Sequence, residues 1–156
     1  MRRLTIAAMS AVLCLGAGAS AGDESRGAAR DVFGYWYTPD RDSLVLIADC
    51  GDGTPCGTVT WVDPERAKVL VDENNRDETL KGRPIEGITL LAGFEEASKG
   101  WRGGEIYNPE NGATYRAKLR RTGADTLEVK GCVGPICKGM VWPRAEVEAE
   151  LAQAGD

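Results

Sequence analysis

The stretch that decides the fold runs from Trp101 to Arg120 and reads W-R-G-G-E-I-Y-N-P-E-N-G-A-T-Y-R-A-K-L-R. After Asn111-Gly112 the residues alternate: Ala113, Tyr115, Ala117 and Leu119 share one face, and Thr114, Arg116, Lys118 and Arg120 share the other. A period of two is the pattern of a half-buried strand. Before it, Glu105-Ile106-Tyr107 is a second extended run, and Asn108 to Gly112 is dense in turn formers. Pro109 fixes its own φ and Gly112 can supply a positive one, so the unit reads as a β-hairpin.

Similar runs lie on both sides. Val32 to Tyr37, Leu44 to Asp49, Thr58 to Val62 and Ile88 to Phe94 precede the hairpin, and Thr126 to Lys130 and Met140 to Arg144 follow it. Val59 and Trp61 are expected on one face of their strand. Between Asp63 and Pro84 the chain is polar and aperiodic, an unusually long connection of the kind that is often functional. About eight strands joined by turns predict an all-β antiparallel protein, a small barrel or sandwich. Ala145 to Gln153 reads as a brief helix, with Val147 and Leu151 four apart.

The first residues look like a targeting segment. Arg2 and Arg3 open it, Leu4 to Leu15 is apolar, and Ala19-Ser20-Ala21 is a small-x-small cleavage site. The apolar run is too short to span a bilayer. The expected organisation is therefore a signal peptide over 1–21, a flexible lead-in over 22–31, one barrel domain over 32–144 and a helical tail over 145–156. A periplasmic or secreted location follows. The formal charge is −5, and it becomes −7 without residues 1–21, which hold two arginines and no acid. Such an acidic surface excludes nucleic acid as the expected partner.

Four cysteines remain after cleavage: Cys50, Cys56, Cys132 and Cys137. In an oxidising compartment they read as two disulfides, with three connectivities open. The local pairs Cys50–Cys56 and Cys132–Cys137 are expected, because each would clip a turn that already contains Gly and Pro. Each should contribute about 2 kcal/mol in the chain-entropy account. A four-cysteine zinc site would use shorter spacings within each pair. The acid-rich segments Asp49 to Gly53 and Asp72 to Glu78 lack the ligand order of a calcium loop. Without histidine or any nucleophile motif, no enzyme, catalytic residue, metal or cofactor is expected.

Several runs together carry a resemblance. They are Gly34-x-Trp36, Asn75-Arg76-Asp77, Leu80 to Gly87, Trp101 to Pro109, Gly112-x-Thr114-Tyr115, Leu127 to Gly131 and Trp142-x-Arg144. In order, they resemble the bacterial exported family known as domain of unknown function 2147, over nearly all of the mature chain. The resemblance implies a lipocalin-like, up-and-down barrel and no settled activity. It also implies a closure in which Arg144, from the last strand, lies over the Trp36 indole as a cation–π stack. Pro143 departs from the family pattern, which has Thr there. Lacking a donor, it predicts a short or edge strand.

Within such a barrel the aromatic residues Trp61, Trp101, Tyr107 and Tyr115 either line a pocket or fill the core. Trp101, Tyr107 and Tyr115 are the expected contacts for a small apolar or amphipathic ligand in the barrel mouth. The competing expectation is an envelope or interaction module with a filled core, meeting a protein partner through loop 63–84.

Overall fold

The structure is a computed structural model, and it describes residues 27–146. The signal peptide expected over 1–21, the first part of the lead-in and residues 147–156 of the expected tail lie outside the described residues. Among the described residues nine strands form one antiparallel sheet. They are β1 (Gly34–Tyr37), β2 (Ser43–Asp49), β3 (Pro55–Val62), β4 (Thr89–Ala92), β5 (Glu95–Ala97), β6 (Gly100–Asn108), β7 (Ala113–Gly123), β8 (Thr126–Val133) and β9 (Ile136–Pro143). Spatial order follows chain order, except that β5 pairs only with the start of β6. The sheet curls until its outer strands meet at an antiparallel bridge between Trp36 and Arg144. The Ala145 amide also donates to the Tyr35 carbonyl at 2.9 Å. This is an up-and-down, lipocalin-like barrel whose seam is joined at one end.

One strand, β5, lies outside every expected run. The run Ile88 to Phe94 stops pairing at Ala92, and Glu95–Ala97 turns back on β6 through Gly100. Gly100 has φ +103°, and a Cβ there would collide with the Leu119 carbonyl. Only glycine lets this turn sit so low on β7. The last strand is longer than expected, because the tight Gly134-Pro135 turn lets pairing reach Val133 opposite Ile136. Pro143 sits at its end, and β9 is an edge of the sheet. Trp61 also departs from expectation: a bulge between Leu44 and Val45 sets Trp61 opposite Leu44, on the face away from Val59. Val59 is buried and Trp61 is 40% exposed.

Alternation builds the interior. Trp36, Val45, Ile47, Val59, Leu91, Phe94, Ala117, Leu119, Leu127, Val129 and Trp142 form one continuous core. Two glycines admit its largest members. A Cβ on Gly57 would come within 2.8 Å of the Leu91 side chain, and one on Gly104 would overlap the Phe94 ring. The lower barrel is thus filled by its own side chains, as expected for a barrel of this size.

Near β1, the last residues of the expected lead-in wind into a helical turn, 27–30, which covers that end of the barrel. Val32 is fully buried, Arg30 pairs with Glu96, and Arg121 pairs with Asp31. The opposite end is the mouth. The β6–β7 and β8–β9 turns and the long connection from β3 to β4 gather there.

Candidate functional site

Alternation and register decide which side chains reach the mouth. Leu127, Val129, Gly131 and Val133 share the inner face of β8, opposite Trp142, Met140, Lys138 and Ile136 of β9. The first pair is wholly buried, whereas Val133 is 68% and Ile136 76% exposed. Cys132 and Cys137 occupy the other face, so their disulfide staples the hairpin from outside. A Cβ on Gly131 would touch Ile106 at 3.7 Å and the Tyr115 Cβ at 4.0 Å. Tyr115 and Ile106 are cross-strand partners on the same inner face. The inner wall at the mouth is therefore Tyr115, Ile106, Met140, Val133 and Ile136, with Lys138 as its one cation among the described residues. Tyr115 is half-buried, and its hydroxyl accepts a hydrogen bond from the Asn111 side chain at 2.8 Å.

The three aromatic residues expected to share a ligand are not brought together. Trp101 begins β6 at the covered end, about 20 Å along the strand from Tyr107. Its indole N–H donates to the Arg30 carbonyl at 2.8 Å, which makes it part of the floor. Tyr107 pairs with Thr114, on the face of β6 opposite Ile106. Of the three, Tyr115 alone stands on the inner wall at the mouth.

Tyr107 instead holds the long connection in place. Its hydroxyl donates to the carboxylate of Asp72, which is fully buried. Asp72 also accepts from the Asn75 amide at 2.7 Å and the Arg83 guanidinium at 3.0 Å. Its backbone amide donates to the Arg83 carbonyl at 2.9 Å. Burial pushes the Asp72 carboxyl upward. Hydrogen bonds from Tyr107, Asn75 and Arg83, together with the Arg83 charge, outweigh that and hold it below its ordinary value. Burial, then the hydrogen bond to Asp72 and its charge, pushes the Tyr107 phenol up to about 12. Asp72 is thus committed to protein partners rather than free for calcium.

The same connection rides on the β6–β7 turn. Asn74 donates to the Glu110 carbonyl at 2.9 Å, and Lys68 pairs with Glu110 at 3.1 Å. Gly112 passes so close beneath that a Cβ would collide with the Asn74 carbonyl. The runs Asn75-Arg76-Asp77 and Gly82-Arg83 are the parts of this clasp. Periodicity does not single out its centre, Asp72. The signal available was an acid five residues before Asp77 within a loop otherwise rich in hydrogen-bonding side chains.

At the seam the Arg144 guanidinium lies 4.6 Å from the centre of the Trp36 ring. The Trp36 indole N–H donates to the Val32 carbonyl at 2.8 Å. Gly34 has φ +117°, and a Cβ on it would sit 2.8 Å from an Arg144 nitrogen. The glycine of Gly34-x-Trp36 is thus required twice, by its backbone angle and by the guanidinium beside it. Both expected disulfide pairs, Cys50–Cys56 and Cys132–Cys137, are present. Among the described residues no helix is long and apolar enough to cross a membrane.

An antiparallel barrel with one covered end and a loop-rimmed mouth defines a lipocalin-like scaffold. A family profile described as "Uncharacterized protein conserved in bacteria (DUF2147)" matches residues 34–144, and the chain belongs to that family. Among solved structures it is similar to protein HP1028 from Helicobacter pylori, described as belonging to the lipocalin family. That likeness has a TM-score of 0.67 at 21% identity and covers 80% of this chain and 90% of the other, which shows the shared fold. No curated protein matches the chain.

Proposed function

We propose that this is an exported, non-enzymatic binding protein that takes a small amphipathic ligand at the barrel mouth. One observation carries this reading: apart from Gly131 and Lys138, the inner face of the β8–β9 hairpin is apolar up to Val133 and Ile136, which none of the described residues covers. Inner-face apolar residues are ordinarily buried, and exposed ones in line with a core mark a binding surface. Tyr115 and Met140 continue that wall inward. Lys138 stands among them and suits an anionic headgroup. The two disulfides support an oxidising compartment.

Native mass spectrometry of protein purified from its own envelope tests this, and an adduct of lipid-like mass is expected. A fluorescent fatty acid should bind the stripped protein. Tyr115→Ala and Ile136→Asp should weaken it, and Thr114→Ala, on the opposite face, should not. Lys138→Gln should weaken a carboxylate probe more than the matching alcohol. A bare protein that ignores both probes would sink this reading. The filled lower barrel, with Leu91 against Gly57 and Phe94 against Gly104, would then favour an interaction module.

A further inference from the structure

A second concavity lies outside the barrel, where the β5–β6 hairpin leans over β7 and β8. It has a volume of about 270 Å3. Five cations line it, Lys99, Arg102, Lys118, Arg120 and Lys130, against one carboxylate, Glu128. In a chain of net charge −5 this is a marked local reversal. Glu128 is shared between Arg120 at 3.0 Å and Lys130 at 3.3 Å, so it neutralises less than the wall carries. Among the described residues Lys99, Arg102 and Lys118 make no ion pair, although Glu95 stands opposite Arg102 in the strand register.

The arrangement works against folding. Lys118 and Lys130 are direct cross-strand partners, and like charges in that position repel. The low β5–β6 turn, made possible by Gly100, then brings Lys99 to the same cleft. Fixed cations converging on one concave surface, at a cost to the sheet, suit a ligand that supplies several negative charges at short spacing. The volume is slightly under the usual range for drug-sized pockets, which limits the ligand to a compact one.

We propose that this cleft binds a small molecule carrying two or more phosphate or sulfate groups. The site is separate from the mouth, and the inference does not rest on the amphipathic ligand. Calorimetric titration of the full mature protein with pyrophosphate, beside orthophosphate as a singly substituted reference, tests it. Pyrophosphate should bind more tightly than orthophosphate, and binding should weaken as salt is raised. Lys118→Gln/Lys130→Gln should lower pyrophosphate affinity about tenfold or more, since each anion would lose two charge-assisted contacts. That variant should melt no lower than wild type, because it removes a like-charge pair. Lys68→Gln, against the β6–β7 turn at the mouth and outside the cleft lining, should leave affinity unchanged. Equal binding of the two anions, or full affinity in the double variant, would overturn the proposal. Vesicles containing phosphatidylglycerol separate the sources: capture by vesicles without pyrophosphate binding would overturn it in favour of a membrane-facing patch.

Discussion

Arg144 and Trp36 meet twice, once through their backbones at the barrel seam and once through a guanidinium lying 4.6 Å from the indole centre. Among the described residues the buried Arg144 Nε has no hydrogen-bond partner, so flat contact rather than a hydrogen bond at that nitrogen holds the group. Arg144→Ala should cost about 1–3 kcal/mol in chemical denaturation, combining lost packing with the lost cation–π term. Arg144→Lys should recover part of it, because an ammonium keeps the charge without the plane. Equal midpoints for all three proteins would show that the stack contributes nothing.

Asp72 and Tyr107 should give stability a limb at each end of the pH scale. Asp72 is held below the ordinary carboxyl value of 3.8, so its contribution is complete above that value and is lost as pH falls through the lower folded one. The phenol of Tyr107 is raised from 10.0 to about 12, so its contribution is complete below pH 10.0 and is lost as pH climbs towards about 12. Melting temperature measured against pH should show both losses. Tyr107→Phe should flatten the alkaline limb, and a curve parallel to wild type there would contradict the assignment.

Removing the carboxylate should be worse than removing the phenol. Asp72→Ala leaves Arg83, Asn75 and Tyr107 facing an empty acceptor and should cost about 2–4 kcal/mol. Hydrogen exchange should then speed up in residues 68–84 before it does in β7 and β8. Uniform loosening of the barrel would mean the clasp is not a local device.

Gly104 offers a test of the filled core. Gly104→Ala should destabilise by about 1–3 kcal/mol through overlap with the Phe94 ring. Phe94→Leu in the same chain should relieve part of that cost, a coupling a double-mutant cycle reads directly. Additive effects would place the ring elsewhere.

Much of this was legible in the sequence. Strict alternation in β7, from Thr114 to Arg120, announced a strand with one buried face, and the turn chemistry of Asn108 to Gly112 announced its partner. The spacing of Cys50 and Cys56, and of Cys132 and Cys137, named hairpin tips. What escaped depended on three-dimensional register. Trp61 lies on the face opposite to the one that alternation predicts, because one bulge shifts every later residue by one. Trp101 and Tyr107 lie six residues apart in one strand, and periodicity says nothing about which end of a barrel each one reaches. The Asp72 clasp joins a loop to a strand 35 residues away, beyond the reach of any local pattern.

The seam also has a consequence for how the molecule is made. Apart from β3 and β4, which the long connection separates, every other strand pairing joins segments close in the chain, so most of the meander can assemble step by step as it emerges. Arg144 stands at the far end of the last strand, and its partner Trp36 is in the first. A chain appearing N-terminus first therefore cannot shut its barrel until almost all of it is out. Until that moment it is an open sheet with two unjoined outer strands, and the contact that shuts it is the last one the chain can make.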